Sequence, residues 1–155
     1  MKCEVVSDDY CKIFFNNLIT EKLNFNNRDS IEIFLKNMIL TLNNKYKIAL
    51  KGIYQVKVFF NKKVGALIEL EKVESFFSRS QEIEISIKII FDCKFYFKTK
   101  EFFLVQDFDD IYYYNNNYYI DASKIKNIPK LIEFGNILEA KDFDVEEFGI
   151  KVEKV

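Results

Sequence analysis

The sequence has no histidine and no tryptophan in its 155 residues. Histidine is the commonest general base, nucleophile activator and metal ligand, so most hydrolase and metalloenzyme readings end with its absence. Glycine and proline are scarce as well, at 4 and 1, against roughly 11 and 8 at average usage for this length. That scarcity excludes glycine-rich phosphate loops, proline-rich ligands and flexible linkers. The three cysteines, Cys3, Cys11 and Cys93, are odd in number and lack C-x-x-C or zinc-ligand spacing. They read as small core hydrophobes beside apolar runs. No window approaches the roughly 18 uninterrupted apolar residues of a membrane span. The opening MKCEVVSDDY has no apolar signal region, so a cytoplasmic protein with reduced thiols is expected, with no membrane partner.

What the chain does have is aromatic residues, 17 Phe and 9 Tyr, on a background of 23 basic and 24 acidic side chains. A globule of this length buries roughly 70% of its unfolded surface and needs no metal or disulfide staple. The balanced charge provides no global field to steer a polyanion. Residues 1–75 carry 12 basic and 9 acidic groups and residues 76–155 carry 11 and 15, a mild asymmetry of a solvated surface. Lysine outnumbers arginine 21 to 2, a bias expected of an AT-rich genome, which lowers the functional weight of any one surface lysine or asparagine.

Periodicity assigns the elements. Cys3–Val6 and Tyr10–Phe15 read as a hairpin about Ser7-Asp8-Asp9, with Cys11, Ile13 and Phe15 on one face. Asn16–Asn27 reads as a loop with one helical turn. From Asp29, with Glu32 three residues on, Ile31, Phe34, Leu35, Met38, Ile39 and Leu42 make one helical stripe to lay on a sheet. Tyr54–Phe60 and Val64–Leu70 form a second hairpin about residues 61–63. The candidate boundary is Glu74–Ser80, too apolar for a flexible linker. Beyond it Ile83, Ile85, Ile87, Ile89 and Phe91 alternate with polar residues, and Asp92-Cys93 turns the chain toward Lys94–Lys98. Glu101–Val105 continues or restarts that strand, and an acidic loop follows around Phe108. The hairpin Ile111–Ile120 turns at Asn115-Asn116-Asn117. A helix is expected from Pro129, lined by Ile128, Leu131, Ile132, Gly135 and Leu138. Val145–Phe148 gives one turn, and Ile150–Val155 a closing strand. The fold class expected is α+β, in two small packed lobes over residues 1–75 and 80–155, each an antiparallel sheet of hairpins with one main helix.

No constellation carries catalysis. Glu101, Asp107, Asp109 and Asp110 form the densest acidic cluster, but it lacks the glycine and ligand spacing of a calcium loop and reads as a solvated turn. No metal, cofactor or catalytic residue is expected, and the chain does not read as an enzyme. Aromatics interleaved with charge between Phe91 and Tyr119 suggest a nucleic-acid surface, yet the acids there outnumber the lysines, which repels phosphate. Tyrosine offers large contact area at low entropic cost and is enriched at protein interfaces. Tyr112, Tyr113, Tyr114, Tyr118 and Tyr119, with Phe108, Asp109 and Asp110, are therefore the candidate partner-binding residues.

Several stretches resemble the MecA adaptor family, whose members deliver client proteins to the ClpC unfoldase. MKCEVVSDDYCKIFF at the start is similar to that family's opening hairpin. The helix from Asp29 to Leu42, KGIYQVKVFF and VGALIELEKV resemble its helix followed by a hairpin. IYYYNNNYYI resembles its tyrosine-rich hairpin, LIEFG at Leu131–Gly135 the end of its penultimate helix, and VEEFGIKV at Val145–Val152 its closing turn and strand. The resemblance covers about two thirds of the chain in the family's order, without the family's long acidic linker. It implies a non-enzymatic adaptor or regulator whose first lobe recognises a client and whose second lobe docks on a AAA+ unfoldase. The alternative is a small inhibitor or immunity protein of a mobile element, acting through the same acidic, aromatic surface. Either reading leaves a homo-oligomer open.

Overall fold

The opening hairpin forms as the alternation of its residues demands. In the computed structural model, which describes residues 1–24, 26–46, 52–73, 83–140 and 144–153, β1 (Lys2–Ser7) pairs antiparallel with β2 (Tyr10–Asn16). A short helix α1 (Asn17–Thr20) follows, capped by the Asn16 side chain, which accepts the Ile19 N–H. Next comes the long helix α2 (Arg28–Tyr46). Asn27 accepts the Ser30 N–H at 3.2 Å, so the helix begins just ahead of the acidic pattern at Asp29. Glu32 instead pairs with Lys36 one turn on, at 2.9 Å.

The strands β3 (Gly52–Asn61) and β4 (Gly65–Val73) form the second hairpin, and β4 lies between β3 and β2. Gly65 has φ +129°, and a Cβ there would stand 2.0 Å from the Phe15 carbonyl. Only glycine lets β4 approach β2 that closely. The next strand, β5 (Ile83–Ile90), pairs parallel with β3 in register from Gly52↔Ile83 to Phe59↔Ile90. The first sheet therefore runs β1-β2-β4-β3-β5 and is mixed. This differs from the expected grouping, which put 83–90 with the second lobe: β4 occupies only one edge of β3, and the alternating isoleucines of β5 extend the apolar face on the other. The expected boundary at Glu74–Ser80 lies outside the described residues.

The chain changes sheets at Phe91–Lys94. Asp92 takes φ +55°, and Asn61 holds the crossing by donating to the Cys93 carbonyl at 2.8 Å. The second sheet has β6 (Phe95–Thr99), β7 (Ile111–Tyr114), β8 (Asn117–Asp121), β9 (Asn136–Glu139) and β10 (Ile150–Val152), in the order β10-β7-β8-β6-β9 and antiparallel throughout. Two expectations differ here. Phe102–Leu104 is a 3-10 turn and not strand, because the Thr99 hydroxyl accepts the Glu101 N–H at 3.1 Å and bends the chain away. The helix at Pro129 is only α3 (Ile128–Leu131). It stops before Gly135, whose position against the Lys98 carbonyl and the Phe97 ring has no room for a Cβ; Leu138 then lies on β9. The last helix is α4 (Val145–Phe148), so α2 is the one long helix of the described residues.

The layers follow from the faces. Ile31, Leu35, Met38, Ile39 and Leu42 of α2 pack on Cys11, Ile13, Tyr54, Val56, Val58, Ile68 and Leu70. Phe14, Phe59 and Leu67 on the other face meet Phe95, Phe97, Ile111, Ile120 and Ile137 of the second sheet. The order is thus helix, sheet, sheet, an α+β architecture with two sheets. At the rim, the Lys2 ammonium of β1 donates to the carbonyls of Ile132 and Gly135, joining the layers. No helix among the described residues is long and apolar enough to cross a membrane.

Candidate protein-binding surface

The tyrosine hairpin β7–β8 turns on two residues, Asn115 and Asn116, with φ +46° and +59°. Two successive left-handed residues define the turn whose twist matches paired strands, and asparagine tolerates that conformation. Asn117, expected in the turn, begins β8 and is buried; its amide donates to the Asn115 carbonyl at 2.7 Å. The register Tyr112↔Tyr119, Tyr113↔Tyr118 and Tyr114↔Asn117 then divides the tyrosines between the two faces.

Tyr112 and Tyr119 lie on the outer face. Tyr119 is buried there with Tyr96 under Val145 of α4, and Tyr112 packs on the same cluster. α4 is held down by Glu146, which accepts from the Tyr96 hydroxyl at 3.2 Å and pairs with Lys94. Tyr114, on the same face, is exposed. Tyr113 and Tyr118 are on the opposite face, half-buried, with ring centroids 5.0 Å apart. Phe102 leans on Tyr118 at 5.1 Å. On the other side Ile150 of β10 stands opposite Tyr113.

Ile150, Tyr113, Tyr118 and Phe102 thus form one row at the end of the core between the sheets, against which Tyr118 still packs, with Phe103 beside Phe102 in the same 3-10 turn. Ile150 is 71% exposed, Phe103 61% and Phe102 41%. Large apolar side chains left together in water at this level mark a contact surface more often than a solvated one. Of the expected binding residues, the structure brings Tyr113 and Tyr118 into this row. Phe108 is half-buried against the core between the sheets, and Asp109 is exposed in its loop. Asp110 accepts from Lys124 at 2.6 Å and Lys151 at 2.8 Å. Those two lysines hold its carboxyl down at about 2 and tie β10 beside β7.

Sequence reasoning missed Phe102, Phe103 and Ile150. The adjacent pair Phe102-Phe103 was the available signal, since a one-turn element cannot bury two successive large rings. Ile150 is exposed because β10 is a three-residue edge strand with little to cover it.

Two open clefts flank α2, one of about 240 Å³ lined mainly by Met1, Phe15, Phe34, Met38 and Leu42, and one of about 260 Å³ between Arg28, Ile31, Ile87 and Ile89. Neither brings together acids or a nucleophile with a base. Among the described residues no three Cys, Asp or Glu side chains are grouped to hold a metal ion. Comparison with protein-family models, with curated proteins and with solved structures finds no match.

Proposed function

We propose that the chain is a non-enzymatic protein-binding adaptor or regulator, of the kind that brings client proteins to a ClpC-like AAA+ unfoldase in the cytoplasm. The observation that carries this reading is the apolar row in which exposed Ile150, Phe102 and Phe103 flank the half-buried pair Tyr113 and Tyr118. Aromatic anchors ringed by polar groups are the usual energetic centre of protein interfaces. Asp107 and Asp109 are exposed in the loop that follows the Phe102–Leu104 turn, and acidic residues there suit a partner surface with lysine or arginine around an apolar pocket. The motifs shared with the MecA family include this hairpin and the closing strand that carries Ile150, so resemblance and surface point to the same part of the chain. The work done is proximity, and no bond is made or broken by this chain.

The test is capture of a purified ClpC-type unfoldase by the immobilised chain in the presence of ATP, beside an adaptor known to bind it. Retention of the unfoldase by this chain supports the reading. No retention where the known adaptor succeeds overturns it.

A further inference from the structure

The first sheet ends in β5, its longest edge strand. Sheet edges invite foreign strands, and proteins blunt them with short strands, bulges or irregular pairing. Three of the four edges here are blunted: β9 has four residues, β10 has three, and β1 shifts register between Val5 and Ser7. β5 has eight residues in unbroken register with β3, and among the described residues no strand lies on its other side.

Its charges point to what completes it. One row across the sheet reads Glu4, Lys12, Glu69, Lys57, Lys88, in register on the face away from α2. The signs alternate, with Lys12 and Glu69 in an ion pair at 3.5 Å, until the last step sets Lys57 against Lys88. Like charges directly opposite destabilise a strand pair. A carboxylate on the open side of Lys88 would offset that repulsion. Glu84 and Lys88 lie on the same exposed face of β5, each two residues from Ser86.

We propose that β5 pairs antiparallel with β5 of a second copy, in a register centred on Ser86, to give a two-fold dimer with one continuous ten-stranded sheet. In that register Glu84 of each copy faces Lys88 of the other, and Ile85 faces Ile87. Shifting the centre to Ile87 would set Glu84 against the apolar Ile90 and Ser86 against Lys88, so the charges choose the register. The two-fold axis is perpendicular to the sheet, which keeps both α2 helices on one side. Ile85, Ile87 and Ile89, half-buried beside the cleft at Arg28 and Ile31, then continue into the partner's isoleucines.

Sedimentation velocity on the full chain tests this. The expected mass is twice the 18.5 kDa of one chain. Lys88→Glu and Glu84→Lys, each of which places like charges across the axis twice, are expected to weaken association about thirtyfold, two opposed pairs of about 1 kcal/mol each. The double variant Glu84→Lys/Lys88→Glu restores the pairs and the dimer. Lys88→Glu also sets a carboxylate opposite Lys57 in the register of β3 and β5, so its folding is not in jeopardy. A one-chain mass at about 100 µM, above the micromolar ceiling of standard interfaces, overturns the proposal; that is also the outcome if the edge serves another protein's strand. A dimer indifferent to the single reversals, or a double variant that stays monomeric, overturns it equally.

Discussion

Tyr113 and Tyr118 face each other across a two-residue turn with their rings 5.0 Å apart and tilted by 47°. Tilted pairs of this kind are worth about 1 kcal/mol beyond the area they bury. The Tyr113 hydroxyl donates to the Asn116 side chain at 3.1 Å, so the ring is held from its far end too. The pair therefore stands rigid with part of its surface in water, which lowers the entropic cost of docking against a partner.

The two edges of the apolar row are open to substitution without loss of the fold. Phe103→Glu and Ile150→Lys are expected to change stability by less than about 0.5 kcal/mol, because both side chains are mostly in water. Phe97, fully buried between the sheets, is the contrast: Phe97→Ala should cost about 3–5 kcal/mol. Urea denaturation of the three variants checks this. A large loss in Phe103→Glu would show that the ring is part of the core.

Gly65→Ala is expected to cost more than about 3 kcal/mol and to lower the yield of folded protein. The added methyl meets backbone, the Phe15 carbonyl at 2.0 Å and Asn16 at 2.8 Å, which cannot rotate aside. Gly52 has the same φ but faces only the flexible Lys72 side chain at 3.1 Å, so Gly52→Ala should be the milder of the two. Thermal melts of both variants give the order.

Burial pushes the Cys11 thiol from an ordinary 9.0 up to about 12, with Cys3 beside it adding to the shift. The folded chain holds this thiol neutral at pH values where the unfolded chain ionises it. Its contribution is therefore whole below about pH 9 and is lost as the pH rises toward 12. Denaturation midpoints should fall across that window, and Cys11→Val should flatten the decline. Alkylation of Cys11 below pH 9 should proceed only as fast as the chain opens.

Asp110 titrates in the opposite sense. Its carboxyl is held at about 2, against an ordinary 3.8, by hydrogen bonds from Lys124 and then Lys151. The contribution of this cluster is present above about pH 4 and fades as the pH falls toward 2. Hydrogen exchange should show the amides of β10 that pair with β7 losing protection there ahead of β8, and Asp110→Asn should produce the same loss at neutral pH.

The parts of this fold that were legible are those in which one local signal decides. The α2 stripe from Ile31 to Leu42, the β3–β4 hairpin, whose turn falls one residue later than expected at 62–64, and the division of Tyr112–Tyr114 between two faces all follow from period. The partner of β5 was not legible, because alternation in Ile83–Ile90 says which residues share a face and nothing about which edge they join. The short length of α3 was hidden for another reason: Leu131, Ile132 and Leu138 fit a helical stripe, while the contact that ends it, Gly135 against Phe97, is set by a strand more than thirty residues away. At the candidate surface, Tyr113 and Tyr118 were foreseen as aromatic, but the company of Phe102 and Ile150 depends on a hydroxyl turn at Thr99 and on where β10 pairs.

The most direct measurement is the affinity of a purified ClpC-type unfoldase for the fluorescently labelled chain, wild type against the Phe103→Glu/Ile150→Lys double variant. The account predicts saturable binding by the wild type and at least about a hundredfold loss in the folded variant, as for removal of two interface anchors worth about 1.5 kcal/mol each. Equal binding by both proteins, or no binding by the wild type, would contradict it.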